Sequence, residues 1–317
     1  MPTRVVVLDD YQDIARRFGP WDALGDRVEL TVLTEHVSDP DELVQLLKGA
    51  EVVVAMRERT PFPRSVLDRL SDLRLLVTTG MRNAAIDMAA ARSKGIVVSG
   101  TAIPVRPTTE LTWALILAVT RHIAREDAHM RRGGWQHTVG ADLAGKTLGV
   151  IGLGRQGSGV AKIGLAFEMN VIAWSRNLKA EDAAELGVSA VTKDELLGSA
   201  DVVTLHLVLS DRSRGTIGLA DLARMKPTAY LVNTSRGPLV DEGALLSALH
   251  EGTIAGAALD VYDVEPLPTD HPLRSAPNTV LTPHLGYASE GTYEVFYRDV
   301  VEDIGAYLDG DPFRVLG

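Results

Sequence analysis

The sequence contains no cysteine among its 317 residues. This absence excludes disulfides, thiol nucleophiles and zinc sites with cysteine ligands. Long hydrophobic runs are also lacking: the longest strongly apolar run, Trp113 to Val119, is far below the ~20 residues of a transmembrane helix. The apolar part of the N-terminus, Val5 to Leu8, is too short for a signal peptide. We therefore expect a cytoplasmic protein that does not associate with membranes.

A surplus of basic residues is missing as well. The 32 lysines and arginines stand against 42 aspartates and glutamates, which gives a formal net charge of −10. Nucleic acid is not an expected partner, because phosphate backbones favour clustered Lys and Arg. What is present is ordinary for a globular protein: 45% apolar and 23% charged residues. The length suits about two domains.

Short apolar segments alternate with helical patterns along the whole chain. The predicted strands are Val5–Leu8, Val28–Leu33, Val52–Ala55, Leu73–Thr78, Ile96–Ser99, Lys146–Ile151, Val171–Trp174, Val202–Leu205, Ala229–Asn233, Gly256–Leu259 and Thr279–Leu281. Most are continuous Val, Ile and Leu, which is typical of strands buried on both faces of a parallel sheet. The alternation predicts an α/β fold.

Helical patterns lie between the strands, as at Asp41–Gly49 and Asp241–His250. Asp241 is a suitable N-cap, and Gly252 follows the end of its helix. The segment from Glu110 to about Arg132 predicts one long helix buried on several sides, serving as a hinge or subunit-packing element. It separates two strand–helix units. A final helix is predicted over Thr292–Leu308.

The most informative motif is VIGLGRQG at residues 150–157. Gly152 permits a tight turn, Gly154 lets a pyrophosphate approach the backbone, and Gly157 lets a helix pack closely on the strand. Backbone amides at the start of that helix face the phosphate; the residues there are Arg155 and Gln156. A purely structural glycine turn is the alternative. The flanking strands complete a βαβ unit and favour a dinucleotide site.

Four later segments carry candidate chemistry: Asn233–Gly237, Asp260, Glu265–Pro266 and Thr282–Gly286. Singly, each has a plain structural explanation, such as a surface arginine, a turn aspartate, a loop pair or a structural histidine. Three of the four closely follow the carboxyl end of a predicted strand, where open parallel sheets bind ligands. Their occurrence together in one nucleotide-binding unit favours a functional site.

These motifs resemble the D-isomer-specific 2-hydroxyacid dehydrogenase family. The matches are GLGRQG at 152–157, the block from Asn233 to Leu245, LDVYDVEPLP from Leu259 and TPHLG from Thr282. The resemblance implies two doubly wound parallel-sheet domains, with a Rossmann nucleotide-binding domain (101–289) inserted in a flavodoxin-like substrate-binding domain (1–100 and 290–317). It also implies a homodimer, and no regulatory domain is expected after residue 317.

The resemblance further implies site residues. Arg236 would bind the carboxylate and carbonyl of a 2-keto acid, His284 would be the acid/base, and Glu265 would hold the other ring nitrogen of His284. Asp260 resembles the residue that holds the nicotinamide carboxamide. The remaining expected cofactor contacts are Thr108, His206, Thr234 and Gly286. No metal site is expected.

The substrate-binding loop is less typical of the family. Gly80, Met81 and Arg82 stand where relatives bind the substrate carboxylate through backbone amides. Arg82 either adds a charge for the substrate or is exposed and idle. Arg57 and Arg59 are further candidates for an anionic group, although a solvated loop is the slightly favoured interpretation.

The residues at the end of the second strand of the βαβ unit indicate which nicotinamide cofactor is used. An NAD enzyme normally has an acid there, which binds the ribose hydroxyls. Here Ser175 takes that place and Arg176 follows. A carboxylate would repel a 2′-phosphate, whereas an arginine would attract it. We therefore favour NADP over NAD, with a solvent-facing Arg176 and retained NAD use as the alternative.

Two other functions compete with keto-acid reduction. One is a nucleotide-sensing corepressor or scaffold on the same fold, although no segment of the sequence resembles an added interaction tail. The other is formate oxidation, but formate enzymes of the family carry glutamine where Glu265 stands. The particular 2-keto acid is left open by the sequence.

Overall fold

The computed structural model describes every residue from Met1 to Gly317. The chain forms two compact units, one of Met1–Pro104 with Ser289–Gly317 and one of Val105–Ala288. The second unit is thus inserted into the first along the chain. These limits lie within a few residues of the expected domain boundaries, whereas the roles of the two units stay predictions.

The first unit is built on a five-stranded sheet whose neighbouring strands are all parallel. Its strands are β1 (Thr3–Val7), β2 (Val28–Val32), β3 (Val52–Ala55), β4 (Leu75–Thr78) and β5 (Val97–Gly100), in the order β2-β1-β3-β4-β5. Its helices are α1 (Ala15–Phe18), α2 (Pro40–Leu46), α3 (Arg64–Leu67), α4 (Met88–Ser93), a 3-10 helix (Trp21–Arg27) and the last helix of the chain (Glu290–Leu308).

The valine-rich strands of the first unit are buried on both faces. Val6 and Val53 join a core with side chains of α2, α3 and α4, whereas the alternate residues Val5 and Val52 point to the other face and are fully buried too. The last helix packs against β4 and buries Phe296 completely. Continuous apolar strands are therefore required here.

The second unit contains a seven-stranded parallel sheet. Its strands are β6 (Thr147–Ile151), β7 (Asn170–Trp174), β8 (Ser189–Ala190), β9 (Val202–Leu205), β10 (Tyr230–Asn233), β11 (Gly256–Leu259) and β12 (Thr279–Leu281), in the order β12-β11-β10-β9-β6-β7-β8. Its helices are α5 (Arg106–Thr120), α6 (Ile123–Arg131), α7 (Arg155–Ala166), α8 (Ala180–Ala184), α9 (Lys193–Ser199), α10 (Leu219–Leu222) and α11 (Glu242–Glu251), with 3-10 turns at Gly237–Leu239 and Pro272–Ser275.

Two hydrophobic cores cover the two faces of this sheet. Val150 and Val232 belong to one core, and their neighbours Ile151 and Leu231 belong to the other. Successive side chains of a strand point to opposite faces, so a strand between two helical layers needs apolar residues at every position. The prediction of two parallel-sheet α/β domains is confirmed.

Helix α11 is capped by the residues that the sequence indicated, Asp241 and Gly252. The Asp241 side chain accepts a hydrogen bond from the Ala244 amide at 2.9 Å, and Gly252 ends the helix in the left-handed region at φ 69°. The two-residue strand β8 was not predicted from the sequence, since so short an edge strand has no periodicity.

The prediction of a single long helix from Glu110 to about Arg132 is wrong. Helix α5 ends at Thr120, His122 takes a left-handed conformation at φ 53°, and α6 begins at Ile123. Helix α5 buries apolar side chains as expected, but α6 has no buried residue. The apolar periodicity stops at Val119, and the polar residues beyond it give α6 no core-facing side.

No helix of the chain is both long and apolar enough to cross a lipid bilayer.

Candidate active site

The candidate residues of the second unit lie at one edge of its sheet. Strands β9, β10, β11 and β12 are consecutive neighbours, and β9 also pairs with β6. Parallel neighbours end at the same edge, so the loops after these strands lie side by side. The chain changes winding direction between β6 and β9, which is the position where open α/β sheets bind ligands.

The glycine turn follows β6. Gly152 has φ 100°, and a Cβ built on it would lie 2.6 Å from the carbonyl oxygen of His206. A Cβ on Gly157 would lie 1.9 Å from the carbonyl oxygen of Gly152, so α7 packs directly on the turn. Gly154 precedes the helix, and a Cβ there would meet no atom within 4 Å. Two glycines are thus required by the fold, whereas Gly154 borders open space.

This cradle fits a dinucleotide. The first residues of α7, Arg155 and Gln156, place their amides at the helix N-terminus beside Gly154. His206 adds a buried Nδ1 atom with no partner in the chain, while its Nε2 lies 2.9 Å from Thr204 Oγ1. Burial lowers the pKa of His206 to about 4, so the ring is neutral near pH 7. A polar ligand atom would satisfy this nitrogen.

The end of β7 lies beside the same turn, because the Gly152 amide donates to the Trp174 carbonyl at 2.8 Å. Ser175 is half-buried there. Arg176 is exposed and donates to the Arg212 carbonyl at 3.4 Å. No acid occupies this strand end, as read from the sequence, and an exposed guanidinium stands in its place.

Arg236 is held by a folded loop after β10. The Asn233 side chain accepts from the Ser235 amide at 3.0 Å and donates to the Arg236 carbonyl at 2.9 Å. A Cβ on Gly237 would lie 2.1 Å from the backbone of Tyr262, so the loops after β10 and β11 touch at this glycine. That contact brings the half-buried Arg236 towards the loop that carries Glu265.

Glu265 and His284 form the shortest polar contact of the site. Glu265 Oε2 lies 2.5 Å from His284 Nδ1, and Glu265 Oε1 accepts from the Tyr262 amide at 2.9 Å. Burial alone would raise the pKa of Glu265. The hydrogen bond and charge of His284, the Tyr262 amide and the charge of Arg236 outweigh burial, so the pKa of Glu265 is lowered. Glu265 is therefore a carboxylate near neutral pH.

Asp260 anchors the segment that carries His284. This fully buried carboxylate accepts from Thr282 Oγ1 at 2.6 Å, the Leu285 amide at 2.7 Å and the Gly286 amide at 2.8 Å. Burial raises the pKa of Asp260, and these hydrogen bonds oppose the rise. His284 itself has φ 54°, an uncommon conformation that costs of order 1–3 kcal/mol. The Asp260 contacts on both sides of His284 hold it there.

The threonines near the start of α5 complete the site. Thr108 Oγ1 donates to the Gly286 carbonyl at 2.8 Å, and Thr112 Oγ1 lies 2.9 Å from Thr234 Oγ1. A Cβ on Gly286 would contact both Asp260 and Thr108. The predicted residues Thr108, Thr234 and Gly286 are therefore tied to the loops that carry Arg236 and His284.

The predicted substrate loop belongs to the first unit. Gly80 follows β4 with φ 105°, and its amide donates to Thr101 Oγ1 at 2.9 Å. Arg57 donates from Nη1 to the Thr79 carbonyl at 2.6 Å, and its side chain is 13% exposed. Met81 and Arg82 are exposed. Arg57 is thus folded onto the Gly80 loop.

Arg59 is also held in place, since it donates to the Asp9 carbonyl at 3.1 Å and lies 4.3 Å from the centre of the Tyr11 ring. The favoured interpretation of Arg57 and Arg59 as solvated loop residues is wrong. Both guanidinium groups bind backbone carbonyls within their unit, a contact that the sequence alone does not reveal.

Thr112 and Tyr262, which position the site, were not singled out from the sequence, and Thr282 was named only within the segment Thr282–Gly286. The Tyr262 hydroxyl donates to the Thr282 carbonyl at 3.0 Å, which joins the loops after β11 and β12. Tyr262 and Thr282 stand inside the motifs LDVYDVEPLP and TPHLG. Reading every polar side chain of those motifs would have identified both.

The chain matches the model of the family "D-isomer specific 2-hydroxyacid dehydrogenase, NAD binding domain" over residues 113–286. It is 41% identical over 255 residues to a glyoxylate reductase of Aeropyrum pernix, covering 77% of this chain and 76% of the relative. The chain belongs to the D-isomer-specific 2-hydroxyacid dehydrogenase family. The resemblance inferred from the motifs is confirmed.

Two further relatives give the same family. A D-3-phosphoglycerate dehydrogenase of Methanocaldococcus jannaschii is 40% identical over 278 residues, which are 86% of this chain but only 52% of that relative. The crystal structure of a phosphoglycerate oxidoreductase from Vibrio cholerae O395 superposes with a TM-score of 0.93 and 36% identity, covering 97% of this chain and 99% of that one. Family membership gives a 2-hydroxyacid oxidoreductase with a nicotinamide cofactor.

The glycine turn provides a matched pair of variants. Gly154→Ala adds a methyl group in open space, so the melting temperature should stay within ~1 °C of wild type while NAD(P)H binds at least ~10-fold more weakly. Gly157→Ala forces a Cβ into the Gly152 carbonyl and should lower the melting temperature by several degrees, about 2–4 °C per kcal/mol. Thermal melts and NAD(P)H fluorescence titrations measure both.

Gly198→Ala is the control, since it also adds a methyl group in open space but lies on α9, away from the turn. It should leave the NAD(P)H affinity unchanged and should not lower the melting temperature, because alanine favours a helix more than glycine does. Unchanged cofactor affinity in Gly154→Ala would mean that the dinucleotide does not approach this backbone.

Proposed function

We propose that this protein reduces a small 2-keto acid to the D-2-hydroxy acid, with Arg236, Glu265 and His284 as its catalytic residues. The observation that carries the proposal is the 2.5 Å contact between Glu265 Oε2 and His284 Nδ1. It lies at the sheet edge that also bears Arg236 and the glycine turn. The reverse oxidation uses the same groups.

The Glu265–His284 pair handles the proton. With Nδ1 engaged by the Glu265 carboxylate, His284 has Nε2 left to give a proton to the carbonyl oxygen of the keto acid. In the oxidative direction Nε2 takes the proton back from the hydroxyl group. Glu265 fixes the orientation of the ring, because it remains a carboxylate at neutral pH and engages Nδ1.

Arg236 binds and polarises the substrate. Its guanidinium can form two parallel hydrogen bonds to the carboxylate and carbonyl oxygens of a 2-keto acid. The Asn233 and Ser235 contacts fix the loop that carries it. The guanidinium also opposes the negative charge that develops on the carbonyl oxygen during reduction.

The cofactor would be held at the carboxyl edge of the second sheet. The Gly152–Gly157 turn and the α7 amides would hold the pyrophosphate, and Ser175, Arg176 and His206 would lie along the adenosine half. Thr108, Thr234, Asp260 and Gly286 would surround the nicotinamide half. When bound, the nicotinamide supplies or accepts the hydride.

Asp260 has a second role beside its expected one. All the contacts of its carboxylate are to residues 282–286, so it positions His284 whether or not it also accepts a bond from the nicotinamide carboxamide. Each carboxylate oxygen has two lone pairs, which leaves capacity for that further bond.

The first unit would bind the substrate through its Gly80 loop. The Gly80 amide is engaged by Thr101, so the amides of Met81 and Arg82 are the donors left for the substrate carboxylate. The Arg57 guanidinium lies against the loop, bound to the Thr79 carbonyl and 3.7 Å from Glu58 Oε2. The exposed Arg82 and the anchored Arg59 would favour a substrate with a further polar or anionic group.

A homodimer would cover the exposed apolar side chains of α6 and of the segment after it. Ile123, Met130, Trp135 and Val139 are 54%, 60%, 72% and 93% exposed, in a segment that follows the α5 helix. Large apolar side chains grouped at a surface mark protein contacts. A second copy of the chain is the proposed occupant.

NADP(H) is the proposed cofactor. Ser175 replaces the acid that would repel a 2′-phosphate, and the exposed Arg176 supplies an attracting charge. The hydrogen bond of Arg176 is to a backbone carbonyl and not to a carboxylate. The charge of Arg176 therefore remains available to a phosphate.

The reaction is tested with a panel of glyoxylate, hydroxypyruvate, pyruvate and bulkier keto acids, with NADPH or NADH consumption as the readout. At least one acid should be reduced.

Glu265→Gln keeps the shape of the side chain but removes its charge, so kcat should fall by about 10²-fold while NAD(P)H affinity is kept. Glu242→Gln alters another carboxylate–imidazole pair, in which Glu242 Oε1 lies 3.0 Å from His271 Nε2; it is the control and should retain wild-type kcat. Wild-type turnover in Glu265→Gln would contradict the assignment.

Cofactor choice is tested by kcat/KM for NADPH and NADH. Wild type should prefer NADPH, and Arg176→Gln should reduce kcat/KM for NADPH by about 10-fold with little effect on NADH, because only the 2′-phosphate loses a charged partner. Arg224→Gln, an exposed arginine paired with Asp194, controls for the loss of one surface charge. A strong NADH preference in wild type would overturn the proposal.

A further inference from the structure

The Gly80 loop rests directly on the end of strand β5. Thr101 is fully buried and its Oγ1 accepts the Gly80 amide at 2.9 Å, while the Thr101 amide donates to the Thr78 carbonyl at 3.2 Å. A Cβ on Gly100 would lie 2.7 Å from the Gly80 carbonyl oxygen and 3.2 Å from Met81 Cα. Any movement of residues 100–101 is therefore transmitted to the loop.

A buried carboxylate of the last helix holds the next residue. Asp299 is 1% exposed, and its Oδ2 accepts the Ala102 amide at 2.9 Å. Its Oδ1 accepts from the exposed Arg298 at 2.8 Å. A buried acid is retained at a cost in desolvation, which its hydrogen bonds offset. Asp299 thus fixes the backbone that follows β5.

Arg314 links this carboxylate to the segment after the last helix. Its Nη1 lies 3.3 Å from Asp299 Oδ2, its Nη2 donates to the Asp299 carbonyl at 2.7 Å, and its Nε donates to Asp303 Oδ1 at 2.8 Å. Glu302 adds a partner at 3.1 Å. Arg314 itself has φ 52°, so these contacts hold a conformation that the residue rarely adopts.

The same segment pairs with β5. Val315 bridges Ser99 in antiparallel fashion, the Gly100 amide donates to the Arg314 carbonyl at 3.1 Å, and the Leu316 amide donates to the Val98 carbonyl at 2.7 Å. We call residues 313–316 the closing segment. The end of β5 is thus held by the closing segment on its edge and by Asp299 at its exit.

We propose that Arg314 and Asp299 are positioning residues for substrate binding, which hold the Gly80 loop in place through β5 and Thr101. The inference rests on the proposed role of that loop in binding the keto-acid carboxylate. Neither residue touches the reacting atoms in this scheme. Their loss should weaken binding of the keto acid and leave the chemistry and the cofactor site unchanged, because both of those belong to the other unit.

The experiment compares Arg314→Met with Arg298→Met. Both variants remove an arginine that contacts Asp299, but Arg298 contacts neither β5 nor the closing segment. Arg314→Met should raise KM for the keto acid roughly 10-fold with kcat and KM for NAD(P)H within ~2-fold of wild type, and Arg298→Met should change none of them. Hydrogen exchange of the peptide containing residues 79–85 should be faster in Arg314→Met alone, since the Gly80 bond to Thr101 opens more often.

Thr101→Val and Thr101→Ser test separately whether the Thr101 hydroxyl holds the Gly80 loop. They remain informative if Arg314→Met does not fold. Thr101→Val removes the acceptor of the Gly80 amide with little change of shape and should reproduce the higher KM and faster exchange, whereas Thr101→Ser should restore both. Unchanged exchange at residues 79–85 in both Arg314→Met and Thr101→Val would overturn the inference. Failure of wild type to reduce any keto acid would refute the proposed function instead, because the exchange measurement needs no turnover.

Discussion

The contact between the Glu265 carboxylate and the His284 imidazole is the interaction on which the proposed function of this protein depends. It joins loops that follow different strands, and it exists only because β11 and β12 are parallel neighbours. The sheet fixes the distance between the two loops. At that distance the Glu265 carboxylate reaches His284 Nδ1 and orients the ring, which leaves Nε2 available for proton transfer. In the proposed mechanism, the parallel register of β11 and β12 is therefore a constraint on catalysis as well as on packing.

Several buried contacts serve this pair without taking part in the chemistry. Asp260 holds the residues around His284 in a conformation that would otherwise be strained. Tyr262 joins the loops after β11 and β12, and Gly237 lets the Arg236 loop touch the backbone of Tyr262. Preorganised donors and acceptors of this kind need no rearrangement during reaction, which is how an active site stabilises charge that develops on its substrate. The Asp260 carboxylate and the lack of a Cβ atom at Gly237 thus both maintain the geometry around the Glu265–His284 pair.

Much of this could be predicted from sequence because the signals are short-range. Glycines at 152, 154 and 157 specify a turn and a close helix, and continuous Val and Ile runs specify strands buried on two faces. The break at His122 could not be predicted, since Arg and His are tolerated inside helices and only the loss of burial beyond Val119 decides the matter. The anchoring of Arg57 on Thr79 and the Asp299–Arg314 network depend on residues distant in sequence. Such contacts leave no periodic pattern to read.

Whether His284 transfers the proton is measured by the turnover of His284→Gln with the best keto acid of the wild type, together with NAD(P)H binding by fluorescence. Glutamine keeps a hydrogen-bonding side chain but cannot act as an acid or base near neutral pH. We expect kcat to fall by about 10²–10⁴-fold while the dissociation constant for NAD(P)H stays within ~2-fold of wild type. Turnover close to wild type, with cofactor binding intact, would contradict this expectation, because the proton would then come from another group.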